Sequence, residues 1–560
     1  MNYFYPPDQQ LLFTDRDAEL GQLKHALHTL QIGPAEHIAL FGLRRIGKTL
    51  LLKELIRQVL LTNDEIVPAY MDFSALCSSP ENFVLGYVGS LCYWLFEKGQ
   101  TDPEPYLNAS TLPVALARNG AIDLIADVQP ILQELERAKP DRQALLRHAF
   151  RFPRLASTKL GKRLVLAFDE FQEIRTLENF PDSHNVLALF RAEMQTQSGI
   201  IYFLAGSAIS ILTHLLSHPD SPLFAQFSRL AVDPFPQAST KALVNKLITE
   251  ELDPDTFPLI HSLTGGHPYY ITALTRRLSY LVDVVQRPAA SDTVKQAFLI
   301  ETLAPGGRIY DFCRYVYDLS LQKASGYGSL KAVLQILAAE EGLTASQIGR
   351  RLRVTSGTAS DYLRWLCEVD LIQVKDHLYF FRDPVLRFWV GNVVKGIEVS
   401  LTAEPLDLKS LMGRLDAQFQ RASEELGIAQ ESRIRELMRL FNGQVAQGKW
   451  FGRKESIRLP LFHTVSSFEA KDGQVELDAV TSGSSSRDWI AEVKWKNKRA
   501  GKKELEKLLR QVQERNAQGW YISKAGFTTE AETFANEHGL YFSDDTAIHE
   551  LSLFLHKPAK

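Results

Sequence analysis

The apolar run HIALF (37–41) passes straight into Gly42-Leu43-Arg44-Arg45-Ile46-Gly47-Lys48-Thr49, and then into LLLKELIRQVLL (50–61). The order is strand, glycine-bounded loop, helix, and the loop fits G-x-x-x-x-G-K-[ST]. Gly42 and Gly47 let the backbone curl until its N–H groups face phosphate oxygens, and the helix adds its positive N-terminal end. Lys48 is placed to reach β- and γ-phosphates, and the Thr49 hydroxyl to ligate Mg²⁺. This stretch predicts a P-loop domain with ATP and Mg²⁺ as cofactors.

Further strand-like runs follow it: VPAYMDF (67–73), RLVLAFDE (163–170) and GIIYFLAGS (199–207), each followed by a turn and a helix-period segment. That alternation is the βαβ signature of a parallel sheet covered by helices. The run from Arg163 ends in Asp169-Glu170, two acids at a strand end after a P-loop. Asp169 is assigned to the magnesium and Glu170 to the base that polarises the attacking water.

A chain of 560 residues exceeds one core, and domains of about 100–200 residues imply about three to five units. The boundaries read as an ATPase domain over 1–235, a helical lid over 236–325, a helix-turn-helix unit over 326–393, a helical linker over 394–425 and a second α/β unit over 426–560. The net charge of −3 excludes a whole-chain basic field, so nucleic-acid contact falls to local patches. Cys77, Cys92, Cys313 and Cys367 lack metal-ligand spacing and read as core thiols of a reducing compartment. The opening MNYFYPPDQQLLF lacks a signal peptide's charged start, and no apolar stretch approaches about 18 residues. The expectation is a cytoplasmic protein with no membrane partner.

The GLRRIGKT loop, the DEFQ run (169–172), the strand ending Ala205-Gly206-Ser207 and the turn Gly265-Gly266-His267-Pro268 together resemble the archaeal-type ATPase family, within the AAA+/STAND class. The opening Phe13-Thr14-Asp15-Arg16-Asp17-Ala18-Glu19-Leu20 resembles that family's box beside the adenine, with Asp15 in place of the usual glycine. The resemblance spans about residues 10–390. It implies a nucleotide-side role for Arg16, a sensor role for Ser207, a position near the γ-phosphate for Arg229 (in cis or across a subunit interface), and a place over the base for His267 and Pro268. It also implies nucleotide-dependent homo-oligomers and a protein trigger or partner.

Residues 330–381 read as three helices and a strand pair, with Thr344 capping the second helix and Ser356 or Thr358 opening the third. The order resembles a winged helix-turn-helix, whose third helix enters the DNA major groove. Arg350, Arg351 and Arg353 precede that helix, and Thr355, Ser356 and Thr358 are placed to meet phosphates. Asp361 and Glu368 dilute its charge, so interdomain packing stands beside DNA contact. The run ending Asp383-Pro384-Val385-Leu386-Arg387-Phe388-Trp389 resembles the segment after the wing in the same ATPase family.

Near the C-terminus, VELDAV (475–480) is followed by WIAEVKW (489–495). Alternation along a strand puts Glu492 and Lys494 on one face. Asp478 and Glu492 make an oxygen-rich site suited to Mg²⁺ or Mn²⁺. Lys494 is suited to orient or deprotonate a water or to steady a phosphate. Glu436, on the preceding helical segment, offers a third acid. The pattern resembles the PD-(D/E)xK nucleases, and the later order of helix, strand and Gly526-Phe527-Thr528 turn resembles the Mrr type of restriction endonuclease. Lys494, Lys496, Lys498, Arg499, Lys502 and Lys503, with Trp495, point to phosphate contact or to a solvated charged face.

The fold class expected is therefore α/β multidomain: P-loop ATPase, helical lid, winged helix-turn-helix and restriction-endonuclease-like domain. The function expected is an ATPase controlling a metal-dependent nuclease that acts on DNA, in defence or mobile-element biology. The alternative is a signalling or scaffold ATPase whose C-terminal modules bind DNA or protein without cleavage.

Overall fold

The computed structural model describes residues 4–33, 35–62, 65–321, 327–375, 377–415, 434–435, 437–469, 476–482, 487–495 and 499–555. The chain divides into two compact units, Met1–Leu408 and Lys409–Lys560.

The first unit is built on five parallel strands: β1 (Ile38–Phe41), β2 (Ile66–Asp72), β3 (Arg163–Asp169), β4 (Ile200–Gly206) and β5 (Ser228–Ala231), in the order β2-β3-β4-β1-β5. The side chains of β1 and β4 are buried throughout. Such unbroken apolar runs, rather than alternation, mark strands covered on both faces. Helices supply the cover: α1 (Asp17–Ile32), α2 (Lys48–Thr62), α3 (Pro80–Glu97) and α4 (Arg142–Leu160). Phe73, Phe83, Tyr87, Phe150, Phe168 and Phe190 form a continuous aromatic core, with ring centroids 4.7–6.3 Å apart. The four strands expected from sequence are present; β5, four residues long at the sheet edge, was not foreseen.

After α5 (Ile209–Ser217) and β5 the chain turns helical, including α6 (Pro268–Ser279) and α7 (Arg308–Leu321). Next come α8 (Tyr327–Ala339), α9 (Ala345–Leu352), α10 (Ser356–Glu368), the hairpin of β6 (Ile372–Lys375) with β7 (Leu378–Phe381), and α11 (Pro384–Val393). Thr344 caps α9 in a capping box with Gln347, and Thr355, one residue before the expected start, caps α10. Cys367, expected in the core, is only half-buried; the other three cysteines are buried.

A half-buried carboxylate ties this helix-and-hairpin module to α5, the helix that follows β4. Asp370, in the left-handed region at φ +63°, accepts from the Ser210 N–H at 3.1 Å and from its Oγ at 2.7 Å, and pairs with Arg382 at 3.4 Å. It thereby caps the first turn of α5 from another part of the chain. Asp370→Ala leaves that turn and Arg382 without their acceptor. The expected loss is about 2 kcal/mol, read as a lower unfolding midpoint of the first unit with β-sheet content unchanged.

The second unit carries a short ladder, β8 (Val445–Ala446) with β9 (Ile457–Arg458), and a five-stranded sheet: β10 (Thr464–Glu469), β11 (Glu476–Ser482), β12 (Trp489–Lys494), β13 (Gln518–Ser523) and β14 (Tyr541–Ser543), in that order. β10, β11 and β12 run antiparallel; β12, β13 and β14 run parallel, joined through α12 (Lys502–Arg515) and α13 (Thr529–Glu537). The parallel half requires crossovers, which is why the helical patterns fall between those strands. A last helix, Asp545–Leu555, was not anticipated.

Candidate functional sites

The P-loop leaves the C-terminal end of β1 and closes on itself. Gly42 has no room for a side chain: a Cβ there would meet the Val232 carbonyl at 2.6 Å. Gly47 sits at φ +107° with open space where a Cβ would point. Lys48 Nζ donates to the carbonyls of Gly42 and Leu43 at 2.8 and 2.9 Å. Burial lowers the Lys48 pKa to about 8, against the opposing pull of Glu170 and Asp169.

Because β4 lies between β1 and β3, the acids at the end of β3 stand one strand away from the loop, and Ser207 falls between them. Thr49 Oγ1 donates to Asp169 Oδ2 at 2.5 Å, and the Tyr70 hydroxyl donates to the same oxygen at 3.0 Å. Burial raises the Asp169 pKa, with the Thr49 hydrogen bond working against it. Glu170 adopts φ +49°, and its Oε2 accepts from the Ser207 N–H at 3.2 Å, from the Ser207 Oγ at 2.8 Å and from Gln172 Nε2. Thus Lys48, Thr49, Asp169, Glu170 and Ser207 converge. A cleft of about 630 Å³ opens beside them, lined by Arg44, Glu170, Ser207, Tyr315 and Asp370.

The far side of the loop is gripped by two residues from distant segments. Arg16 Nη2 donates to the Ile46 carbonyl at 3.2 Å, while its guanidinium lies 4.7 Å from the Phe235 ring and pairs with Glu19. His267 Nε2 meets the Arg44 carbonyl at 3.0 Å. A carbonyl only accepts, so Nε2 carries the proton; burial lowers the His267 pKa to about 4, keeping the ring neutral at pH 7. Pro268 opens α6 at its first position, where its missing N–H costs nothing. Asp15 sits at φ +61°, which explains why glycine is usual there and why aspartate is tolerated. Arg45, also left-handed at φ +58°, lies over the adjacent rings of Tyr269 and Phe312, 4.4 and 4.7 Å from their centroids.

Arg229 is not brought to this cluster. It sits on edge strand β5 opposite Ala39, with its guanidinium over Phe41 and donating to Thr213 Oγ1 at 2.9 Å. The residues present fit a polar ligand: Arg16 Nε and His267 Nδ1, both buried against the loop, have no hydrogen-bond partner.

In the second unit, β11 and β12 pair Ala479 with Ala491 and Val480 with Ile490, so the same register sets Asp478 opposite Glu492. Asp478 Oδ2 accepts from the Val493 N–H at 2.7 Å, and Arg435 donates to the Asp478 carbonyl. In the parallel ladder Glu492 lies beside Tyr521 and Lys494 beside Ser523. Lys494 Nζ meets Glu504 Oε1 at 2.6 Å, and Glu504 Oε2 accepts from the Gly501 N–H at 2.7 Å. Burial raises the pKa of the Tyr521 phenol, and the negative charges of Glu504, Glu492 and Asp478 add to the rise. Among the described residues no group of three or more His, Cys, Asp or Glu is assembled to hold a metal. Asp478 and Glu492 are two carboxylates that could hold Mg²⁺, an ion commonly held by one or two carboxylates with waters completing the shell.

Glu436, Lys496 and Lys498 lie outside the described residues. Trp495, considered for phosphate contact, is a core residue at 7 % exposure, packed with Trp489 and Phe451 in one apolar cluster. Glu504 was missed; it accepts the Gly501 N–H at the start of α12, half of a capping box that glycine, having no side chain, cannot complete or signal.

Residues 460–552 match the Mrr_cat restriction endonuclease family. Among solved structures, the chain is similar to a Walker-type ATPase of Pyrococcus abyssi (17% identity, 68% of this chain and 96% of that one, TM-score 0.48). It is also similar to the ORC2 protein of Aeropyrum pernix in its ADPNP–ADP complexes (15%, 68% and 94%, 0.42). A third likeness is to the RuvB Holliday junction branch migration motor of Thermotoga maritima (16%, 71% and 99%, 0.34). No curated protein matches the chain. Among the described residues no helix is long and apolar enough to cross a membrane.

Proposed function

We propose that this chain binds and hydrolyses ATP in its first unit and uses the nucleotide state to control a divalent-metal-dependent DNA nuclease in its second. The observation that carries the reading is that the span matching a restriction endonuclease family contains Asp478, Glu492 and Lys494, in a chain that also presents a P-loop facing two strand-end acids.

In the first unit, the amides of residues 42–49 and the start of α2 would cradle the phosphates, with Lys48 on the β- and γ-phosphates. Thr49 and Asp169 would hold Mg²⁺, which supplies charge neutralisation when bound. Glu170 would orient the attacking water, and Ser207 fixes the rotamer of Glu170 through two hydrogen bonds to one oxygen. Arg16, His267 and Pro268 would border the base. In the second unit, Asp478 and Glu492 would hold Mg²⁺ or Mn²⁺, which supplies Lewis acidity when bound. Lys494 would orient the water or the scissile phosphate.

The test is to incubate the pure protein with plasmid, single-stranded DNA and RNA, with Mg²⁺ or Mn²⁺, with and without ATP. DNA cleavage whose rate depends on ATP is expected. No cleavage under any of these conditions removes the nuclease and leaves a binding domain on an ATPase.

The helix-and-hairpin module reads as a winged helix that serves both packing and DNA contact. The last turn of α10 and the residues just after it meet α5 through Cys367 and Asp370, while Arg350, Arg351, Arg353, Thr355 and Ser356 at its other end are largely exposed. Replacing the three arginines with Gln should weaken DNA binding almost equally across sequences. The slope of log K against log salt should flatten by about 0.9 for each phosphate that is no longer neutralised. An unchanged slope assigns the module to packing alone.

A further inference from the structure

We propose that Glu504 is the positioning residue of the C-terminal site, holding the Lys494 ammonium in place for the reaction while its second oxygen is anchored to the backbone. The inference rests on the nuclease reading above. Its basis is a two-point arrangement. Lys494 Nζ lies 2.6 Å from Oε1, and Oε2 accepts from Gly501 N–H at 2.7 Å. The anchor is itself fixed, because Ala500, the residue before it, is hydrogen-bonded on both sides, by its N–H to Gly526 and by its carbonyl to Thr528. The carboxylate therefore stands at a set point at the start of α12, next to the edge of β12 that carries the lysine.

A lysine side chain has four rotatable bonds, and its head is strongly hydrated. On an open strand it would sample many positions; a short, charge-assisted bond to an anchored carboxylate selects one. The geometry divides three acids into two roles. Asp478 and Glu492 face each other across the ladder as the metal pair, and Glu504 serves the lysine.

The decisive variant is Glu504→Gln in the full-length chain. Glutamine puts a donor NH₂ where glutamate has its second oxygen, so one of the two positions that face the Gly501 N–H and Lys494 no longer accepts, and the negative charge is lost. The fold should survive, checked by an unchanged thermal unfolding profile. With plasmid DNA and Mn²⁺, kcat should fall by about 10- to 100-fold, with KM for DNA within a factor of about two. Calorimetric titration with Mn²⁺ should retain the binding event that Asp478→Ala removes. Glu504→Asp, one methylene shorter, should lie between Gln and wild type in kcat.

Wild-type kcat in Glu504→Gln overturns the inference while leaving the nuclease reading standing. Loss of the Mn²⁺ event overturns it in another way, by making Glu504 a metal ligand. A wild-type protein that cuts nothing overturns both.

Discussion

Lys48→Ala should abolish the proposed ATP turnover, lowering phosphate release by about a hundredfold or more. Two effects combine. The β- and γ-phosphates lose the lysine that the loop dedicates to them, and the loop loses the cation that ties the Gly42 and Leu43 carbonyls together. Nucleotide affinity should fall as well, since part of the cradle's shape depends on that tie. Glu170→Gln separates the steps: binding persists because Thr49 and Asp169 are untouched, and turnover drops by about 10²–10⁴-fold as the charge at the water goes. Filter binding and phosphate release, measured side by side, check both. Hydrolysis at the wild-type rate in Glu170→Gln would move the base to another residue.

Asp478→Ala or Glu492→Ala, each alone, should eliminate DNA cleavage, because each removes one of the two carboxylates that would hold the ion and fix its place beside the scissile phosphate. Lys494→Ala should keep metal binding and still lose about 10²–10⁴-fold in rate, since the lysine acts on water or phosphate. Basal ATP hydrolysis should be unchanged in all three, because the P-loop belongs to the other compact unit. Lys48→Ala should reduce cleavage in the coupled protein. Cleavage that ignores Lys48→Ala would separate the two activities.

What sequence could show was whatever is written within a few consecutive residues. The P-loop, the Asp169-Glu170 pair and the Glu492-x-Lys494 alternation are local patterns whose spacing already fixes their geometry. The strands were legible because apolar runs between turns are unambiguous when both faces are covered. What failed was whatever depends on a partner far along the chain. Arg229 follows no local rule, and its surroundings come from Phe41 and Thr213 after β5 pairs with β1. Trp495 looked like a nucleic-acid aromatic beside lysines, and only the packing of the second unit shows it inside. Asp370 carries no local signal, because its partner Ser210 lies 160 residues away. Glu504 carried no such signal: with glycine before the helix no capping box is written, and its reach to Lys494 requires α12 to return beside β12.

Ser207 and Ser210 are three residues apart, yet they answer to different masters. The first is held by Glu170, the second by Asp370. The connecting chain is at most about 11 Å long, and its far end is already the first turn of a helix. A strut that short has little slack. In the proposed function, the anchor points of the water-orienting Glu170 and of the Asp370 clasp are therefore only three residues apart along one stiff segment. The arginines proposed for DNA contact, just ahead of α10, belong to the module on the far side of that clasp.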